Sequence, residues 1–415
     1  MSADGRGSGD RPALSRCIAV DADRFAAEFW GARPVLSPAA ELGEDFADLF
    51  SADAVDELIS GRGLRTPFIR MANEGTVLAP ARFTASGGFG AEIGDQVSSD
   101  KVLQEFADGS TIVLQGLHRT WGPIADFTRQ LVADLGRPCQ VNAYITPASS
   151  RGFDPHYDVH DVFVIQIAGE KHWTIHDPVH PDPLRDQPWT DHRDAVAARA
   201  AEPPAIDATF RPGDVLYLPR GWIHSATALG GVSVHLTIGV AAYTRADVVQ
   251  RVIARAADNA ALRASLPLGV DFDDPAQLAP LVEQTVDALV AELREAAADA
   301  RTTADVARTL ATRLRDDTRP EPIRPLATMS ALALLDGDTI VQLRRGLRAR
   351  SSVDGERVCI RLAGKTVTLP ASARAAVDAL LAGARLRVAD LPDLDRESAV
   401  VVARRLIREG VLAVR

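Results

Sequence analysis

Apolar residues along this chain first follow a strand period, then a helical one, and the change near residue 243 divides it. In the first part, residues 110–116 (STIVLQG) read as a buried strand. Residues 121–135 carry Ile124, Phe127, Leu131, Val132 and Leu135 at helical spacing, and Gly136 and Pro138 end that helix. Residues 140–146 alternate as a strand and bring Asn142 and Tyr144 to one face. A second apolar run, 162–167 (VFVIQI), reads as a strand, Gly169 as a turn, and residues 171–176 as a returning strand with Lys171, Trp173 and Ile175 on one side. The pattern thus predicts a hairpin over 162–176. In residues 210–226 (FRPGDVLYLPRGWIHSA) a Pro-Gly-Asp turn, a short strand and a Pro-Arg-Gly turn precede a strand opened by His224, and 231–240 (GVSVHLTIGV) closes the set.

Upstream, residues 21–30 form an amphipathic helix with Phe25, Phe29 and Trp30 on its apolar side, Ser51 caps a helix over 52–59, and 66–71 is a strand. Residues 79–100 are poorly patterned and read as a loop over the mouth of a cleft. Residues 182–208 are proline-rich and charged, a strandless insertion with His192 in solvent. After Tyr243, helices are expected over 245–258, 275–298 and 302–316, the second with an apolar stripe wide enough to need a partner. Strands at 339–343, 357–362 and 366–369, helices at 372–381 and 396–410, and a terminal VLAV strand complete the chain. The fold class is α+β.

Composition narrows the picture. At 415 residues, with 46% hydrophobic and 25% charged, the chain has the balance of a globular protein of two or three domains. Residues 1–16 have no apolar signal core and read as a disordered leader, so a cytoplasmic location without membrane association is expected. Cys17, Cys139 and Cys359 are far apart, which argues against a disulfide framework or a Cys-based zinc site. A net charge of −10 speaks against broad nucleic-acid binding. The imbalance is uneven, since from Glu321 onward 16 Lys and Arg face 11 Asp and Glu.

The chemistry concentrates in residues 153–178 (FDPHYDVHDVFVIQIAGEKHWTIHDP). His156 and Asp158, one residue apart on extended backbone, project to one side, so both can reach one metal. His224, fixed by tight turns and 66 residues beyond Asp158, supplies the second imidazole. Two His and one carboxylate make the facial triad of non-haem Fe(II) oxygenases; zinc can occupy the same set. An isolated His-x-Asp pair is ordinarily a solvated turn, and the downstream His and Lys171 are what set this one apart. His172, His176 and His180 would align on a helix, but Trp173, Thr174 and Ile175 favour a strand, which leaves those histidines facing outward rather than forming a second metal site.

HYD, QIAGEKHW and GDVLYLPRGWIH, together with FWGARPVL (29–36), VNAYITPASS (141–150) and HLTI (235–238), resemble the JmjC-type cupin oxygenases, most closely the ribosomal oxygenase branch. The resemblance implies a double-stranded β-helix (a cupin or JmjC jelly roll) over residues 17–243, a helical dimerisation region over 244–325 and a winged-helix-like domain over 326–415. It implies Fe(II) held by His156, Asp158 and His224, with 2-oxoglutarate and dioxygen as co-substrates. Lys171 stands where the family carries its 2-oxoglutarate lysine, and an ammonium facing a barrel interior calls for a carboxylate partner. Thr237 resembles the hydroxyl on that same carboxylate, and Asn142 and Tyr144 the polar pair that contacts the residue being oxidised. One position departs: members that hydroxylate a protein histidine usually have a serine two residues after the HLT threonine, and this chain has Gly239.

The implied activity is 2-oxoglutarate-dependent hydroxylation of a protein side chain on a ribosomal protein, by a homodimer with no nucleic-acid partner. Gly239 and the long unpatterned loops motivate the same chemistry on a peptide or small metabolite. A third reading is a non-catalytic cupin whose winged helix binds nucleic acid or protein. Residues 396–410 carry a weak basic excess for a recognition helix, which favours a structural or docking role for that domain. Lysine demethylation is open to the same metal chemistry, but no aromatic cage for methyl-lysine is recognisable.

Overall fold

The computed structural model describes residues 11–415 except 44, 74, 91, 149, 151–152 and 257. The chain forms two compact units, one up to Ala242 and one from Tyr243. In the first unit the strands are β1 (Val35–Ser37), β2 (Ile69–Asn73), β3 (Thr76–Val77), β4 (Thr84–Ala85), β5 (Gln96–Val97), β6 (Thr111–Leu114), β7 (Cys139–Thr146), β8 (Asp161–His176), β9 (Ile206–Phe210), β10 (Val215–Leu218) and β11 (Ile223–Val240). Except for the separate β4–β5 pair, they join in one antiparallel sheet of order β1-β10-β8-β11-β7-β6-β2-β3, with β9 also on β8.

The expected hairpin over 162–176 is not there. β8 runs unbroken from Asp161 to His176, and both of its halves pair with β11, which is equally long. Gly169 (φ +64) supplies a bulge rather than a reversal, matched on β11 by register shifts between Leu229 and His235. A Cβ at Gly169 would collide with the Val232 carbonyl, so the two strands cross there only because the residue is glycine. Beyond the bulge, β9 joins the far half of β8, and the sheet folds over on itself.

Residue alternation gives the fold two apolar layers. Phe163, Ile165, Tyr217, Leu236 and Ile238 face outward into a core shared with Phe25, Phe127 and Leu131 of the surrounding helices. Val162, Val164, Trp173, Ile175, Phe210 and Leu216 fill the inside of the fold. Full burial of a side chain such as Phe25 contributes about 2 kcal/mol.

Residues 1–10 of the expected leader lie outside the described residues, but residues 11–16 are ordered. A turn of helix, Pro12–Ser15, buries Ala13 and Leu14, and its backbone N–H groups at Ala13 and Leu14 donate to Asp134 Oδ2 at 2.9 and 3.0 Å. That carboxylate offsets the orphan donors of the helix start, a contact between residues far apart that no local pattern shows. The unpatterned 79–100 stretch holds the small β4–β5 pair and ends in an unexpected helix, Ser99–Ala107. The insertion is not strandless either: it contains the helix Arg193–Ala200 and the start of β9.

In the second unit, helices Arg245–Ala256 and Ala300–Asp317 are linked by ion pairs such as Arg251–Asp305 at 2.5 Å, and Pro275–Ala298 packs against both. A three-stranded sheet (Leu386–Arg387, Ile340–Leu343, Leu412–Val414) and a meander (Arg350–Asp354, Arg357–Leu362, Lys365–Pro370) follow. Val341, Val358, Ile360, Val377 and Leu406 join these with helices Arg374–Leu381 and Arg396–Arg408 in one core. Among the described residues no helix is long and apolar enough to cross a membrane.

Candidate functional site

The inward face of the folded sheet carries the site. On β11, Leu236, Ile238 and Val240 point to the outer core, so His235, Thr237 and Gly239 point inward. They pair with Tyr144, Asn142 and Gln140 of β7. Asn142, Tyr144 and Thr146 therefore share that face with Thr237, as alternation predicts.

His156 and His224 are joined by a backbone bridge, His224 N donating to His156 O at 2.9 Å and His156 N to His224 O at 3.2 Å. Their ring centroids are 4.4 Å apart, and His224 Nε2 lies 3.9 Å from Asp158 Oδ2. The structure thus brings the three expected ligands together. Ligand atoms at right angles on one metal stand about 3 Å apart. Among the described residues, no group of three or more His, Cys, Asp or Glu side chains, this one included, stands close enough to hold a metal ion as placed. The three are a donor set assembled in one place.

The chemistry of that set suits a divalent metal. His156 Nδ1 is 2.7 Å from the Asp154 carbonyl, and His224 Nδ1 is 3.2 Å from that of Trp222. Each Nδ1–H is thereby committed to a carbonyl, which leaves the Nε2 lone pairs for a metal. Burial, reinforced by His156, pushes His224 down to about 4 against the pull of Asp158. Burial opposes ionisation of Asp158, but His160, His224, His156 and Arg70 outweigh it and hold the carboxyl below its usual range. A neutral imidazole at His224 and an ionised carboxyl at Asp158 are the forms that ligate a metal. Gly221 N donates to the Asp158 carbonyl at 3.0 Å and ties the Pro-Arg-Gly turn to this loop.

Lys171 is 3% exposed, and burial alone lowers its ammonium to about 7. Its Nζ donates to Thr146 Oγ1 at 3.1 Å and lies 5.8 Å from the Trp173 ring centre. The hydroxyl that meets Lys171 is thus Thr146; Thr237 shares the inward face without a hydrogen bond to the lysine among the described residues. Asn142 Oδ1 accepts from Gly116 N at 3.1 Å, which leaves its NH₂ to donate. Tyr144 stacks on His235 with centroids 5.0 Å apart, and burial, with the Asp158 charge nearby, raises its phenol above the usual range.

Sequence reasoning missed Thr146, Arg70, His235 and Trp189. Thr146 was within reach, two residues past Tyr144 on the same alternating face. Arg70 sits between buried Ile69 and Met71 and reads as solvent-facing, yet its register row runs through Val113 to Tyr144, and its guanidinium lies 5.7 Å from the Phe153 ring centre. Trp189, in the insertion, comes within 6.2 Å of the His156 ring, and Tyr157 donates to Gln187 O at 3.1 Å, so the insertion folds back over the HYD segment. Two histidines depart from expectation. His192 is half-buried and stacked on His180 at 4.6 Å, and His176, expected outward, is 4% exposed.

A family model described as JmjC domain matches residues 123–248. Ribosomal oxygenase 2 of Mus musculus is 41% identical over 99 residues, 23% of this chain and 20% of that protein. The bifunctional lysine-specific demethylase and histidyl-hydroxylase NO66 of Brugia malayi is 39% identical over 137 residues, 30% of this chain and 19% of that protein. The chain thus aligns with about a fifth of the length of these relatives. Among solved structures, Escherichia coli YcfD superposes with TM-score 0.55 at 18% identity, covering 95% of this chain and 98% of the other. A second YcfD structure, described as a ribosomal oxygenase in complex with cobalt and 2-oxoglutarate, gives TM-score 0.51 at 19% identity with the same coverage. At such identity the likeness speaks for the fold, and it extends along nearly the whole chain. Residues 123–248 thus match a JmjC domain, and over about a quarter of its length the chain is similar to ribosomal oxygenases.

Proposed function

We propose that the protein is an Fe(II)- and 2-oxoglutarate-dependent dioxygenase that hydroxylates a protein side chain, with a ribosomal protein as substrate. The observation that carries this reading is Lys171. An ammonium inside the folded sheet, with one hydroxyl as its hydrogen-bond partner among the described residues, is costly to keep unless an anionic ligand completes it. The JmjC family uses Fe(II) and 2-oxoglutarate, and the E. coli relative was solved with cobalt and 2-oxoglutarate.

In this reading His156, Asp158 and His224 hold the metal. Fe(II) bound there supplies, with 2-oxoglutarate and dioxygen, the oxidising power to place one oxygen atom in a C–H bond while the co-substrate leaves as succinate and carbon dioxide. Lys171 receives the far carboxylate of 2-oxoglutarate, with Thr146 aiming the ammonium and Thr237 on the same face as a further hydroxyl. Val164, Trp173 and Phe210 make the interior dry, which strengthens that ion pair. The Asn142 amide, fixed by Gly116, and the Tyr144 hydroxyl, on the ring stacked against His235, position the target side chain. The helical region would pair two copies, the C-terminal unit would serve structure or docking, and the protein would act in the cytoplasm.

The test compares intact masses of ribosomal proteins from cells of the source organism with and without the gene. One protein lighter by a single oxygen in the deletion is expected. Identical masses throughout would remove the ribosomal substrate and leave a peptide or metabolite as the target.

A further inference from the structure

Gly239 points inward on β11, two residues beyond Thr237, yet its backbone does not demand glycine, because its φ is not in the left-handed region. What forbids a side chain is His160. A Cβ at position 239 would stand 2.5 Å from both Cδ2 and Nε2 of the His160 ring, and 3.2 Å from Gln140 Cγ. Real Cβ atoms do not approach that closely, so the imidazole occupies the volume that any side chain at 239 would take. His160 follows Asp158 by two residues, at the entry to β8, and Gly239 pairs with both Gln140 and Val162. The segment leaving a proposed metal ligand therefore lays an imidazole against the inner face, at the Asn142 end of the site.

That ring is half-buried and makes no hydrogen bond among the described residues. An imidazole both donates and accepts, and this ring, whose charge acts on Asp158, leaves both capacities unused among the described residues. We propose that His160 is a specificity-determining residue of this site: its ring, seated over Gly239, is the wall against which the side chain to be oxidised is placed. That side chain carries a hydrogen-bonding group beside the oxidised carbon, and the imidazole meets it where a residue-239 side chain otherwise would. The inference rests on the oxygenase reading above.

The test uses the full-length protein and the variants His160→Ala, His160→Phe, His160→Gln, Gly239→Ala and the double variant His160→Ala with Gly239→Ala. Each is read by the visible charge-transfer band on anaerobic addition of Fe(II) and 2-oxoglutarate, by thermal melting, and by proteome-wide oxygen-addition mass spectrometry of gene-deleted cells complemented with it. His160→Ala is expected to keep the band, with 2-oxoglutarate affinity within about twofold, while the gene-dependent oxidised peptide falls by about tenfold or more. His160→Phe keeps the ring volume without the nitrogens, and should lose the peptide while melting near wild type; His160→Gln should restore part of it. Gly239→Ala should lower the melting temperature in the wild-type background and hardly at all in His160→Ala, since the ring it strikes is gone. The proposal is overturned if His160→Ala and His160→Phe oxidise the same peptide to wild-type extent, or if either abolishes the band, which would assign the ring to metal or co-substrate binding. A wild-type protein with neither band nor gene-dependent peptide would remove the oxygenase reading and this inference with it.

Discussion

The residue with the sharpest consequence is Lys171, whose buried ammonium is lowered to about 7 from the unfolded value near 10.4. Between those two values the unfolded chain holds a proton that the folded chain lacks, so stability rises with pH through that window. Below pH 7 the burial penalty is fully present, and it is relieved as pH climbs. Denaturant midpoints of the apo-protein between pH 6.5 and 9.5 should therefore rise, and Lys171→Met should flatten the rise. Co-substrate affinity moves the other way. A bound carboxylate requires the ammonium, so affinity should fall above pH 7 by up to about tenfold per unit. Calorimetry of 2-oxoglutarate binding across the same range reads it. Thr146→Val removes the hydroxyl that aims the ammonium and should weaken 2-oxoglutarate by a few-fold, at a stability cost of about 1 kcal/mol. Lys171 was legible in the sequence because alternation with Trp173 and Ile175 sets its face. Alternation puts Thr146 on the inward face but does not pair it with Lys171, because which inward hydroxyl a flexible lysine meets depends on how the sheet folds over at Gly169.

At the scale of elements, the turns position the donors. Gly221 has φ +88, and a Cβ there would lie 2.8 Å from the His180 carbonyl and 2.9 Å from Pro183 Cδ. Gly221→Ala should push the turn away and break its hydrogen bond to the Asp158 carbonyl. A loss of about 2–4 kcal/mol in unfolding free energy is expected, together with weaker metal binding, measured by urea denaturation and metal titration. Asp134→Ala leaves two helix-start N–H groups without their acceptor and should cost about 1–2 kcal/mol without touching the metal. Most elements were legible, from the helix at Gly122–Leu135 to the C-terminal strands, because each has its own period and stop signal. The 162–176 hairpin was misread because a glycine between two apolar runs marks a reversal and a bulge alike, and pairing with β11 decides between them. The ordered turn Pro12–Ser15 was hidden because its acceptor lies about 120 residues further on.

For the whole molecule, the helix Pro275–Ala298 leaves Val282, Val286 and Val290 exposed along one face. If this face pairs two copies, as the resemblance implies, light scattering should give twice the 44.4 kDa chain mass, and Val286→Asp should halve it. The basic excess after Glu321 is expected to leave binding to nucleic acid weak and salt-sensitive. In the proposed function, the inward face of the first unit holds Fe(II) and 2-oxoglutarate together. The most direct test is anaerobic titration of the apo-protein with both, following the visible metal-to-ligand charge-transfer band in wild type, His156→Ala and Lys171→Ala. A band is expected in wild type that His156→Ala abolishes and Lys171→Ala strongly weakens. A folded wild-type protein that binds iron and shows no band, or a band indifferent to both substitutions, would contradict the proposed function.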